Sequence, residues 1–136
     1  MNKHQDTTRF GLIFWLLTLF VCTGFSSEAR ETSTADTATV YATYYAKKFE
    51  GRKTTSGERY RKNKFTAAHL KLPFGTMVTV TNPANGKSVV VKINDRGPFS
   101  KKFAIDLSES AAREIGIYRL GAARVEISYD LEAEVN

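Results

Sequence analysis

The sequence predicts a mainly β domain, a small closed barrel of about five strands with one short helix in its C-terminal part. Three observations carry this. Short runs rich in Val, Ile, Thr and Tyr alternate apolar and polar residues, as strands with one buried face do. Gly, Pro and Asn clusters separate those runs and mark turns. A single stretch, Ser108 to Gly116, carries helix punctuation at both ends. With 136 residues the chain has room for one small domain.

The N-terminal part stands apart. Met1 to Arg9 is polar and carries Lys3 and Arg9, Phe10 to Val21 is almost wholly apolar, and small residues follow. That order reads as a secretory signal peptide over residues 1–26. The apolar run is shorter than the roughly 20 residues that span a bilayer. An uncleaved anchor is the alternative, and Cys22 is a candidate for lipidation although Val21 before it is not small. Residues 27–38 lack an apolar face and read as a flexible linker, with the folded domain over 39–130 and an acidic tail over 131–136.

Within the domain, Thr39–Tyr45 is β-branched and aromatic and predicts the first strand. Residues 50–64 are polar and contain Gly51 and Gly57, predicting a long loop. Thr66–Leu70 reads as a single helical turn. Thr76–Asn82 and Lys87–Asn94 predict a hairpin around Asn85-Gly86, a pair suited to a tight turn. Asp95-Arg-Gly-Pro-Phe99 interrupts the pattern, and Phe103–Leu107 is a short strand. Ser108 suits an N-cap, Glu109 the first turn and Gly116 the helix end. Ala123–Tyr129 alternates strictly and predicts a last strand with one wet face.

Composition removes several functions. One Cys excludes a disulfide framework and a four-Cys zinc site. Two His, His4 and His69, cannot form a multi-His metal centre. No cofactor motif is present. The formal charge of +6 points to an anionic partner. Residues 47–71 carry nine Lys and Arg against Glu50 and Glu58, either a rim that attracts a polyanion or a solvated loop. A basic nucleic-acid-binding barrel follows from charge alone, and the signal peptide argues against it.

The most informative stretch is Asn94-Asp95-Arg96-Gly97-Pro98-Phe99. A carboxylate at the end of a strong strand stands on rigid backbone, and Gly97-Pro98 forces a turn that holds it there. Asp95 is either catalytic or a cap for turn amides. As an acid it needs a raised pKa, so Arg96 has to point away. His69 either packs or orients a carboxylate. Asp106 reads as bracing the start of the helix. Tyr44, Tyr45 and Phe49 either stack on sugars or fill the core.

Taken in order, Ala42-Thr-Tyr-Tyr45, Phe49-Glu-Gly-Arg52, Thr54-Thr-Ser-Gly-Glu58, Thr66-Ala-Ala-His69, Leu72-Pro-Phe-Gly75, Asn94-Asp-Arg-Gly-Pro-Phe99 and Ile105-Asp-Leu-Ser108 resemble the rare lipoprotein A family of lytic transglycosylases. The resemblance runs from about Ala42 to Tyr129. It implies a six-stranded double-psi β-barrel of the barwin and expansin type. It implies a lyase acting on peptidoglycan, endolytic on the MurNAc–GlcNAc β-1,4 bond of denuded strands, leaving 1,6-anhydro-MurNAc ends without water. Asp95 and His69 match the catalytic positions. Tyr44, Tyr45, Arg52, Ser56, Glu58, Arg61 and Asn94 fall at positions expected to bind substrate, while Gly97, Pro98 and Asp106 are expected to be structural. No metal or other cofactor is implied. The expected setting is the periplasm or cell envelope, as a monomer, with membrane attachment through Cys22 or a retained N-terminal segment as an option and no nucleic acid.

Three features depart from the family pattern. Arg61 follows Tyr60 where an acidic residue is common. Tyr44-Tyr45-Ala46 replaces Trp-Tyr-Gly. A C-terminal peptidoglycan-binding repeat is missing from the 136 residues. Arg61 and Tyr44 motivate the alternative of a non-catalytic, expansin-like wall-binding module.

Overall fold

The computed structural model describes residues 35–131. The predicted signal peptide, Cys22 and most of the linker and tail lie outside them. Among the described residues no helix is long and apolar enough to cross a membrane.

Among the described residues, six strands and one α-helix form the domain, with a short 3-10 helix at Lys47–Phe49. They are β1 (Asp36–Tyr44), β2 (Thr66–His69), β3 (Met77–Asn82), β4 (Lys87–Asp95), β5 (Ile105–Leu107), α1 (Glu109–Glu114) and β6 (Ala123–Tyr129). Around the barrel the order is β1, β5, β2, β4, β3, β6, and β6 closes on β1. The β1–β5 and β2–β4 pairs are parallel; the other four neighbours are antiparallel. This is the mixed, closed six-stranded barrel that the family resemblance implied, and closure leaves no strand edge unpaired.

Period-2 alternation builds the interior. Val78 and Val80 of β3, Val91 and Ile93 of β4, Ile105 and Leu107 of β5, and Val125 and Ile127 of β6 turn inward. Each buried side chain of this size stabilises by about 1.5–3 kcal/mol. Ala111 and Ala112 of α1, with Ile115 and Ile117 after it, cover the barrel. Ser108 Oγ accepts the Ala111 N–H at 3.3 Å and caps the helix. Gly116 ends it at φ +77°, and a Cβ there would sit 2.9 Å from Asn85 Nδ2. Asn82 and Asn85 both donate to the Ile115 carbonyl, at 2.8 and 3.1 Å, so the β3–β4 turn is fastened to the helix end.

Two expectations are corrected. Thr66–His69 is a strand between β4 and β5, where a helical turn was expected. Ala67 and Ala68 are fully buried there, and pairing on both sides overrides the helix preference of alanine. The first strand starts at Asp36 and takes in the last three residues assigned to the linker, because Asp36–Ala38 pair with Ile127–Tyr129. The loop over 50–64 is internally bonded: Gly51 N–H donates to Tyr60 O, Tyr60 N–H to Arg52 O, and Lys53 bridges Arg59.

Candidate active site

β2 lies between β4 and β5, and one small residue on it faces a carboxylate from each neighbour. Ala68 pairs with Asp95 on β4 and with Asp106 on β5. The register of β2 against β4 shifts between Ala67 and Ala68, which lets Asp95 and Ala68 share a face. Asp106 reaches the same face by alternation, since Ile105 and Leu107 on either side turn into the core. Two strand spacings separate the two backbones, roughly 9–10 Å.

These side chains lie in a cleft of about 620 Å³. Tyr45, Phe49 and Phe99 supply aromatic surface, and Arg52, Lys53 and Arg96 supply positive charge. The 50–64 loop forms one wall. It docks on the end of β4 through Ser56 N–H, which donates to Asn94 O at 3.3 Å. Tyr45 is held between Phe49 and Tyr60, with ring centroids at 5.8 and 4.6 Å.

The two carboxyls have opposite surroundings. Asp95 Oδ1 accepts the Thr55 N–H at 2.8 Å, the Thr55 hydroxyl at 2.8 Å and the Arg96 N–H at 2.9 Å. Its Oδ2 accepts the Tyr45 hydroxyl at 2.6 Å. Burial on its own raises the Asp95 pKa; the bonds from Tyr45, Thr55 and Arg96 outweigh it and hold the group below the usual range. Asp106 Oδ1 is enclosed and no donor among the described residues reaches it. Burial first, and the Asp95 charge second, push the Asp106 pKa up to about 7. Tyr45, buried and bonded to Asp95, is pushed well above its ordinary value.

Arg96 does turn aside. Its guanidinium donates to the His69 and Leu72 carbonyls at 3.1 and 2.9 Å and stacks 3.8 Å over Phe74. His69 sits one position beyond Ala68 and therefore takes the other face of β2. It does not line the cleft. Its Nδ1 accepts the Lys71 and Leu72 N–H groups at 3.2 and 3.1 Å, so the neutral ring carries its proton on Nε2. Burial, Arg96 and Lys71 lower its pKa.

Of the expected site residues, Tyr45, Arg52, Asp95, Gly97, Pro98 and Asp106 share the cleft. Glu58, Arg61 and Asn94 line a second, smaller hollow with Lys92. There Glu58 accepts from Lys92 at 2.7 Å and Asn94 at 3.1 Å, and Arg61 pairs with Glu50 at 3.3 Å. Ser56 Oγ bonds Thr54 Oγ1 at 3.0 Å. Tyr44 packs on the core and stacks on Tyr118 at 4.8 Å, its hydroxyl donating to Tyr118 O; alternation turns it away from Tyr45.

Asp106 differs from its expected place. The first helix amides are taken by others: Glu109 N–H by the Tyr60 hydroxyl, Ser110 N–H by Lys62 O and Ala111 N–H by Ser108. Its position between two inward apolar residues was the signal for the outer face. Thr55, which gives Asp95 two bonds, was not singled out; nothing local in the sequence distinguishes it from Thr54. Among the described residues no group of three or more His, Cys, Asp and Glu gathers as a metal site.

A family model described as lytic transglycolase matches residues 37–127. The endolytic peptidoglycan transglycosylase RlpA of Neisseria meningitidis serogroup A is 52% identical over 91 residues, covering 67% of this chain and 38% of that protein. The protein of the same name from Haemophilus influenzae is 54% identical over 86 residues, covering 63% and 30%. The chain thus spans less than half the length of these relatives. Among solved structures, the expansin of Clavibacter michiganensis superposes with TM-score 0.57 at 22% identity, over 69% of this chain and 50% of that one. Streptomyces papain inhibitor gives 0.57 at 20% identity, over 70% and 94%. These two share the fold. The family match covers all but the outermost residues of the barrel and includes both cleft carboxylates, and the chain belongs to the lytic transglycolase family of double-psi β-barrel domains.

Proposed function

We propose that this domain is an endolytic peptidoglycan lytic transglycosylase. It breaks the MurNAc–GlcNAc β-1,4 bond of glycan strands and leaves 1,6-anhydro-MurNAc ends. One observation carries the reading: Asp95 and Asp106 flank Ala68 on one face of the barrel, at the floor of an open cleft. Intramolecular transglycosylation requires one proton delivered to the leaving oxygen and one removed from the muramyl C6 hydroxyl. Two carboxyls of unlike pKa across a gap meet that need. Tyr45, Phe49 and Phe99 offer surfaces for sugar faces. Arg52, Lys53 and Arg96 suit a denuded strand, whose lactyl carboxylates are negative. The names of the relatives agree with this substrate.

His69 acts here as a positioning residue. Its ring orders the turn at Lys71 and Leu72, and its carbonyl holds Arg96 away from Asp95. We place the protein in the cell envelope, exported by its N-terminal segment and working as a monomer. Incubating the full chain with denuded sacculi and identifying soluble products by mass spectrometry tests the reaction. Anhydromuramyl fragments are expected from the wild type and none from Asp95→Asn.

The alternative, a non-catalytic wall-binding module, rested on Arg61 and Tyr44. Both lie outside the cleft, and Arg61 is paired with Glu50. That reading predicts retention on sacculi with no soluble fragments.

A further inference from the structure

We propose that Asp106 carries the proton that goes to the glycosidic oxygen, and that Asp95 is the resident anion that takes the proton of the C6 hydroxyl. This rests on the transglycosylase reading of the cleft.

The geometry separates the two groups. Asp95 has both oxygens engaged: three donors on Oδ1 and the Tyr45 hydroxyl on Oδ2. Two of the four donors are backbone amides, which cannot reverse to accept from a protonated carboxyl. A proton on Asp95 therefore displaces a bond already made. Asp106 has the complementary setting, with Oδ1 enclosed and reached by no donor among the described residues. A carboxyl so placed is stable as the neutral acid. The groups facing it agree. Across Ala68 stands the Asp95 anion; from the wall come the Tyr45 and Tyr60 phenols, both kept neutral by burial. Arg52, Lys53 and Arg96 share the cleft, and Arg96 is committed to backbone carbonyls. The rise of the Asp106 pKa to about 7 follows from this arrangement.

The step balances. Asp106 gives its proton to the oxygen bridging to the next sugar as the C1–O bond breaks. The C6 oxygen of the same muramyl ring bonds to C1 and loses its proton to Asp95. The products are a neutral 4-hydroxyl, a 1,6-anhydro ring, an ionised Asp106 and a protonated Asp95. Solvent then moves one proton back, and no water is consumed.

The test compares two substrates in the full chain. Denuded glycan needs a protonated leaving group; a 2,4-dinitrophenyl β-glycoside of N-acetylmuramic acid does not. Asp106→Asn, isosteric with the neutral acid, is expected to lose on the order of 10²- to 10⁴-fold on glycan. On the aryl substrate its loss is expected to shrink to within about tenfold. Asp95→Asn is expected to lose both. Carbon-detected NMR titration of the wild type, independent of activity, is expected to show Asp106 titrating above Asp95. Unchanged glycan cleavage by Asp106→Asn, rescue of Asp95→Asn instead, or the reverse titration order overturns the assignment. A wild type that makes no anhydro ends removes the transglycosylase reading and overturns both catalytic roles with it, whereas an active wild type whose Asp106→Asn variant stays active overturns the assignment alone.

Discussion

Ala68 decides whether anything fits between the two carboxyls. Its methyl is the smallest side chain that keeps the strand chiral, and although it is buried it lines the cleft between them. Ala68→Val places two more carbons there, and glycan cleavage is expected to fall by at least about 10²-fold, measured on denuded sacculi, with circular dichroism unchanged. The pH dependence follows from the neighbours. With the proposed roles, activity needs Asp95 ionised and Asp106 protonated, so it is expected to plateau in mild acid and fall as pH rises through about 7. Stability carries the same sign. The folded-state pKa of Asp106 is raised, so its contribution is fully present below the unfolded value and lost as pH rises through about 7. Asp106→Asn is therefore expected to unfold later than wild type at pH about 9, by about 2–4 kcal/mol in denaturant titrations, and equally at pH about 3. Asp95 was legible in the sequence because a strand end and a Gly-Pro turn surround it. The placement of Asp106 is obscured in the sequence by the helix cap that follows it, although Ile105 and Leu107 alternate about it. The loop donors to Asp95 were not legible, since the contact joins residues forty positions apart.

At the scale of elements, the strands with full alternation were found nearly to the residue. Ala123–Tyr129 matched its prediction, and the Asn85-Gly86 hairpin and the Ser108 cap stand where the turn and capping chemistry put them. β2 was missed because four residues with two alanines carry no period, and its identity comes from partners on both sides. The turn after β4 is the element most exposed to a single change. Gly97 has φ +137°, a conformation that residues with a Cβ rarely adopt. A Cβ there has room, its nearest neighbours being the Ala68 methyl and the Phe99 ring at 3.8 Å. Gly97→Ala is therefore expected to cost about 1–3 kcal/mol through backbone strain alone. Urea denaturation measures the cost, and the same variant is expected to lose glycan binding as Arg96 and Phe99 shift.

For the whole molecule, charge sets the approach to substrate. The formal charge is +6, and Arg52 and Lys53 of the basic 47–71 segment line the cleft. Retention on denuded sacculi is expected to weaken severalfold between about 0.05 and 0.5 M salt, followed by sedimentation, because a Debye length of about 10 Å at 0.1 M shortens with added salt. Retention independent of salt would assign binding to the aromatic surfaces alone. The closure of the barrel has a further consequence. β1 and β6 are antiparallel neighbours, and Asp36 lies opposite Tyr129. Asp106, by contrast, pairs with Thr43 at the far end of β1, roughly 20–25 Å away along the strand. Both ends of the barrel strands at Asp36 and Tyr129 thus share one pole, and Asp106 lies toward the other. A fusion made at either end of the barrel is therefore joined away from the cleft carboxylates.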